Sequence, residues 1–249
     1  MGDAERIAAA MCSMWRRRTA ALGGTVFADD GVLSCLTGLD FAPFNPSVIE
    51  RSPEHPASAL AEAERHYVAV GLPYGIDLDP ELFPGVRDDA AATGLRIVVS
   101  RPGMIVDPID LHEPAIPVGL AIEPADGRLD DVAAVATEGF GGDLTINRAF
   151  VSDSVWRDPR NRVYLARLDG RPVATAETTV QDRMLGVFGV ATVPSARRRG
   201  VGAAITAHAV RDRAEEADVA FLQSSAMGRG VYASLGFRQV STWEVWSRS

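Results

Sequence analysis

Lysine is absent from the 249 residues, so all 25 basic side chains are arginine. That excludes a Walker-type phosphate loop, which needs a lysine after its second glycine. Cysteine is nearly as scarce: Cys12 and Cys35 are too few for a disulfide scaffold and have no metal-ligand spacing, which fits a reducing cytoplasm. The histidines, at positions 55, 66, 112 and 208, are equally scattered, so neither a structural nor a catalytic metal is expected. No run approaches the ~20 apolar residues of a membrane-spanning helix. The opening residues carry Asp3 and Glu5 where a secretory signal would be basic, so no export signal and no membrane partner are expected. Positive charge is also in deficit. The formal net charge of −8 argues against nucleic acid as the main partner and only weakly favours a cationic one. The remaining composition, 47% hydrophobic and 23% charged, suits one large globular domain or two modest ones.

The most informative stretch is ATVPSARRRGVGAA, residues 191–204. It joins an apolar, β-rich run to an alanine-rich helix through a basic turn punctuated by glycine. Gly200 and Gly202 remove side chains that would keep a ligand from the backbone. The amides of the first helical turn then face an anion with the positive end of the helix dipole behind them. Arg197, Arg198 and Arg199 stand at the same end, where each cation opposes the dipole by roughly 0.3 to 1 kcal/mol. A local conflict of this kind marks a binding site more readily than a scaffold. The turn is not the dinucleotide fingerprint either, since Ile205 stands where that pattern needs its third glycine.

This run resembles motif A of the GNAT superfamily of acyl-CoA-dependent N-acyltransferases. Arg197, Gly200 and Gly202 fill its last three fixed positions, and Pro194 sits where the family commonly has a proline. A second motif, VYASLGF at 231–237, is similar to the family's Tyr-x-x-x-Gly-Phe signature, with strand VAFLQSS (219–225) between the two. The resemblance covers about residues 118–249. It implies a mixed α/β (α+β) GNAT fold: a central, mostly antiparallel mixed sheet flanked by helices.

The residue pattern agrees. A strand is expected at VGLAIEPA, helices at about 128–138 and 144–156, and three strands at RVYLARL, PVATAETTV and MLGVFGVAT. The turns at Asp169-Gly170 and Gln181-Asp182-Arg183 join those strands as hairpins. The motif A helix should reach about 217, followed by the 219–225 strand, a short helix at Tyr232 and two terminal strands.

The N-terminal half reads as a long helix (3–22), a hairpin about Asp29-Asp30-Gly31, a helix at about 57–70, strand YGIDL, a helix at about 80–92, then Gly94 before strands LRIVVS and MIV. This tail repeats the C-terminal order. From Pro56 to Gly94 is 38 residues, and from Arg198 to Gly236 is also 38. A degenerate second copy of the fold is therefore expected in 1–107, with PIDLHEPAIP supplying a linker at 108–117 and the catalytic domain following at 118–249. Where motif A would stand, the first copy has NPSVIERSPEHPASAL, with prolines and carboxylates, so it should not bind CoA.

By resemblance, the pantetheine arm of acetyl-CoA lies along the strand edge Val190, Ala191 and Thr192, and the pyrophosphate rests on the amides of Arg198, Arg199, Gly200, Val201, Gly202 and Ala203. Ser225 stands where many relatives carry a cofactor-contacting asparagine. Tyr232 occupies the place of the usual general acid, and an unperturbed tyrosine, with a pKa near 10, is protonated at neutral pH. The strand glutamate that many relatives use as a base is missing, with Gly186 in its place. Glu177 is the remaining candidate, and His208, on the motif A helix, is a second one facing away from the thioester. The implied reaction moves acetyl from acetyl-CoA to a primary amine, of a small molecule or of a peptide or protein. An acyl-CoA-binding regulatory protein without transferase activity is the alternative. The chain is expected in the cytoplasm, as a monomer or homodimer.

Overall fold

The computed structural model describes residues 1–248. In chain order the first elements are α1 (Asp3–Ala21), β1 (Thr25–Asp29), β2 (Val32–Leu36), β3 (Pro46–Ile49), α2 (Pro56–Val68), β4 (Gly75–Leu78), α3 (Pro84–Ala92) and β5 (Arg96–Val106). There follow β6 (Leu120–Pro124), α4 (Leu129–Phe140), α5 (Leu144–Phe150), α6 (Asp153–Trp156), β7 (Asn161–Leu168), β8 (Arg171–Gln181), β9 (Met184–Thr192), α7 (Val201–Arg211), β10 (Val219–Gln223), α8 (Arg229–Ser234) and β11 (Arg238–Ser247). The chain divides into two compact units: Met1–Gly103 with Gln239–Ser249, and Met104–Arg238.

In the first unit the strands run in the order β1-β2-β3-β4-β11. Asp30 and Gly31, both at left-handed φ, make the tight turn of the β1–β2 hairpin that the Asp-Asp-Gly sequence predicts. Strand β3 pairs parallel with β4 across the α2 crossover, and β4 pairs antiparallel with β11, Ile76 opposite Trp246. One sheet face buries Ile49, Ile76, Leu78 and Trp246 against Leu60 and Tyr67 of α2 and Val86 of α3. Each such side chain contributes on the order of 1.5–3 kcal/mol by leaving water.

The second unit orders its strands β10-β9-β8-β7-β6. Asp169-Gly170 and Asp182-Arg183, all at positive φ, close the β7–β8 and β8–β9 hairpins. Strand β9 pairs parallel with β10, and α7 bridges the two. Leu185, Val187, Ala207, Val210, Leu222 and Phe237 form the core between this sheet and α7.

Both units therefore contain a mixed, mostly antiparallel sheet with helices, as expected. The repeat is also physical: α2-β4-α3 and α7-β10-α8 follow one order, and each short helix ends in a left-handed glycine, Gly94 at φ 92° and Gly236 at φ 94°. Several boundaries differ from the sequence reading. LRIVVS and MIV are one strand, because Gly103 lets the chain continue where a side chain would strike Ser241 and Trp243. The two terminal strands are likewise the single strand β11. The expected 144–156 helix breaks at Val151 and Ser152 into α5 and α6, and the motif A helix ends at Arg211. Segment 108–117 packs within the second unit: the His112 amide donates to Leu235 O at 3.0 Å, and Arg211 donates to Leu111 O at 2.9 Å.

Candidate functional site

The basic turn after β9 folds into a tight, amide-rich cradle. Arg198 has φ of 58° and Gly200 of 82°, so two left-handed residues flank Arg199. Successive amides in such a conformation converge on one side of the chain and favour an anion. Gly200 caps α7, whose first recorded bond runs from the Ala204 amide to Gly200 O at 3.0 Å. The amides of Val201, Gly202 and Ala203 precede that bond and have no acceptor within the helix. Helix α4 begins with Asp130 and Asp131, which complement its dipole, whereas α7 has no acidic residue in its first turn.

The three arginines are not equivalent. Arg197 is turned inward, donating from Nε to Thr192 O at 3.1 Å and from Nη2 to Gly139 O at 2.7 Å. It clamps the turn to β9 and to α4. Arg198 and Arg199 are exposed, and among the described residues no carboxylate pairs with either. Gly200 and Gly202 differ too. Gly200 is required by its φ, while a Cβ on Gly202 would meet only Thr192 Oγ1, at an ordinary 3.5 Å.

Next to this cradle two parallel strands part. The β9–β10 pairing joins Met184, Leu185 and Gly186 to Val219, Ala220 and Phe221. Both strands then run on, to Thr192 and to Gln223, without further pairing between them. The backbone of Val187–Thr192 keeps β8 on its other side. Val190, Ala191 and Thr192 therefore lie on the unpaired edge, leading into the cradle.

Strand β9 also bulges. Across from it, Thr175 pairs with Ala191 and Glu177 with Phe188, so Gly189 and Val190 together face a single residue, Ala176. Gly189 adopts φ of 56°, and a Cβ there would lie 3.0 Å from the carboxyl carbon of Glu177. Glu177 is buried, with its carboxyl under the bulge. At Gly186, the place of the missing strand glutamate, a Cβ would fall 2.3 Å from the Phe188 ring, which meets Phe221 edge-on. An aromatic pair fills the space a carboxylate would need.

Tyr232 sits on α8, its ring 6.0 Å from Phe237 in an edge arrangement and packed on the α7 core. Burial pushes its pKa up to about 12, so the hydroxyl keeps its proton throughout the neutral range. Ser225 lies in the turn before α8, where its Oγ accepts from the Gly228 amide at 3.1 Å and leaves the hydroxyl proton available. A Cβ on Gly228 would meet Tyr232 Cε2 at 2.9 Å and Ser225 Oγ at 3.3 Å, so this glycine brings the two side chains together. His208 faces β7, edge-on to Tyr164 at 5.5 Å.

Sequence reasoning missed Gly189 and Gly228. A glycine inside strand sequence VFGVAT is a bulge signal, but the partner residue under the bulge has no local signature. Gly228 carries no sequence cue, because its role depends on where the Tyr232 ring packs. Among the described residues no group of His, Cys, Asp and Glu could hold a metal ion, and no helix is long and apolar enough to cross a membrane.

Residues 159–239, which run from β7 to the start of β11 and include Glu177, the turn at Arg197–Gly202, Ser225 and Tyr232, match the family model described as an acetyltransferase (GNAT) domain. Along its whole length the chain is similar to a GCN5-related N-acetyltransferase from Kribbella flavida, at 26% identity and TM-score 0.78, covering 99% of this chain and 95% of that one. Its fold is also similar to a tandem GNAT protein from the clavulanic acid biosynthesis pathway, at 16% identity and TM-score 0.60 over 86% of this chain and 77% of that one. A GCN5-related N-acetyltransferase from Sphaerobacter thermophilus shares the fold at 15% identity and TM-score 0.61, over 89% and 74% of the two chains. No curated protein matches the chain.

Proposed function

We propose that this chain, which carries a match to an acetyltransferase (GNAT) domain over residues 159–239, transfers acetyl from acetyl-CoA to a primary amine by direct attack in a ternary complex. The observation that carries the reading is the parting of β9 and β10 beside the N-terminus of α7. A free strand edge, a left-handed amide cradle and two unpaired arginines follow one another along the chain, in the order of an acyl arm and its pyrophosphate.

In this reading the backbone groups of Val190, Ala191 and Thr192 that face away from β8 hold the arm, and an amide among them polarises the thioester carbonyl as it gains negative charge. The amides of Arg198 through Ala203 take the pyrophosphate, with the exposed Arg198 and Arg199 adding charge and Arg197 fixing the turn. The amine nitrogen bonds to the carbonyl carbon as the carbon–sulfur bond breaks. Glu177, directly or through a water, receives the proton the amine loses, and Tyr232 supplies the one the departing thiolate takes up. Ser225 contributes a hydroxyl beside Tyr232. The N-terminal half, which lacks an Arg-Gly-x-Gly turn, is a degenerate copy that binds no CoA.

Titration calorimetry with acetyl-CoA and CoA, followed by a thiol-release assay over amines and peptides, tests the proposal. Binding at one site with thiol release supports it. Binding without release to any acceptor favours the alternative of an acyl-CoA-responsive regulatory protein, for which the absence of a carboxylate at Gly186 speaks. No binding overturns both.

A further inference from the structure

The opening between β9 and β10 has a closed end. Gly186 and Phe221 are the last residues that the two strands pair, and beyond them the strands run apart. Phe221 is 1% exposed. The Phe188 ring, half-buried, meets it edge-on, with centroids 5.7 Å apart and planes at 83°. This ring also folds back along its own strand. A Cβ on Gly186 would stand 2.3 Å from Phe188 Cε2, 2.7 Å from Phe188 Cζ and 3.0 Å from Phe221 Cζ. Both rings therefore rest on the bare backbone of Gly186, and a side chain at that position would displace them.

The register places the rings on the reacting face. Leu185 and Val187 point into the α7 core, so Gly186 and Phe188 present the opposite side of β9. Phe188 pairs directly with Glu177 of β8, and directly paired residues project to one face. The ring thus stands in the same row as the proposed base.

The opening also has a direction. Its wide end leads through the edge Val190–Thr192 to the cradle at Arg198–Ala203, and its closed end holds the two rings. A CoA whose pyrophosphate sits on the cradle and whose arm follows that edge brings its sulfur, and then its acyl group, toward the rings. From Val190 back to Phe188 is two residues, roughly 6 Å of strand. Close-packed rings leave a chain that grows beyond the carbonyl little space to enter.

We infer that the Phe188–Phe221 pair, seated on Gly186, sets the length of acyl group this chain accepts and limits it to two or three carbons. The inference rests on the acyl-CoA reading of the β9 edge.

The test is calorimetric titration of the full chain with CoA and with acetyl-, propionyl-, butyryl- and hexanoyl-CoA, which requires no knowledge of the acceptor. Butyryl- and hexanoyl-CoA should bind about tenfold or more weakly than acetyl-CoA, the scale of a methylene or two that has no room. Phe188→Leu and Phe188→Ala open the closed end in two steps. The ratio of butyryl-CoA to acetyl-CoA affinity should rise in the first and rise further, by about tenfold, in the second. Butyryl-CoA bound by the wild type as tightly as acetyl-CoA, or a ratio unchanged in both variants, overturns the inference while the CoA site stands. Failure of CoA and all its esters to bind the wild type overturns the acyl-CoA reading itself, and this inference with it.

Discussion

Glu177 of β8 lies beneath Gly189 of β9, its carboxyl carbon 3.0 Å from the place a Cβ at Gly189 would occupy. The bulge therefore positions a carboxylate from the neighbouring strand where β9 itself has none. Glu177→Gln preserves the shape and removes the proposed base, so turnover should fall by ~10- to 100-fold with CoA affinity unchanged. Steady-state kinetics beside a CoA titration would check this, and wild-type turnover would remove Glu177 from the mechanism. Gly189→Ala should cost roughly 1–2 kcal/mol through its left-handed φ alone. Its Cβ also presses on Glu177, a further steric cost that adding Glu177→Ala should recover in urea melts while the φ cost remains.

Tyr232 gives a prediction in pH. Burial raises its pKa to about 12, so the acid form persists through neutral and moderately alkaline solution. Tyr232→Phe keeps the ring against Phe237 and should leave thermal stability and CoA binding near wild type. Turnover should drop by ~10- to 100-fold. Any alkaline limb in the wild-type rate between pH 8 and about 10 must then come from another group, and the Phe variant should retain that limb. Its disappearance in the variant would contradict the raised pKa.

The parts of the fold that were legible in the sequence are those set by local backbone chemistry. Asp169-Gly170 and Asp182-Arg183 close hairpins because their residues accept positive φ, and the Arg198–Gly202 turn is read from glycine spacing for the same reason. Arg197 matched a family pattern, yet its guanidinium is spent on Thr192 O and Gly139 O, the latter 58 positions away in sequence. No local rule reveals such a partner. Strand β11 closes the first unit because Glu244, Val245 and Trp246 pair with Leu78, Asp77 and Ile76. The same tertiary step turns YGIDLD from an ordinary strand end into a pair of buried acids.

Gly200 and Gly202 separate conformational need from ligand need. Gly200→Ala places a Cβ at φ of 82° and should destabilise the fold by about 1–2 kcal/mol as well as weakening CoA. Gly202 lies in the first turn of α7, where a methyl group touches only Thr192 Oγ1. Gly202→Ala should therefore leave the melting temperature unchanged or slightly higher, alanine being the better helix former. CoA affinity should nevertheless fall by about tenfold or more, because the methyl stands where the phosphate approaches the amides. Retained affinity in Gly202→Ala would contradict the assignment of this turn to the pyrophosphate.

Asp77 makes stability depend on pH in a direction opposite to that of a salt-bridged carboxylate. Its folded pKa is raised from 3.8 to about 6 by burial, with Arg101 offsetting only part of the effect. Below the unfolded value both states hold the proton and stability is greatest. Between about 4 and about 6 the folded chain retains a proton that the unfolded chain releases, so stability falls as pH rises through this window and levels off above it. The loss is at most roughly 3 kcal/mol for a shift of this size. Asp77→Asn removes the titration and should stabilise the protein at pH 8 but hardly at pH 4, in urea unfolding followed at both. An equal change in stability at the two pH values would show that Asp77 does not titrate in this range.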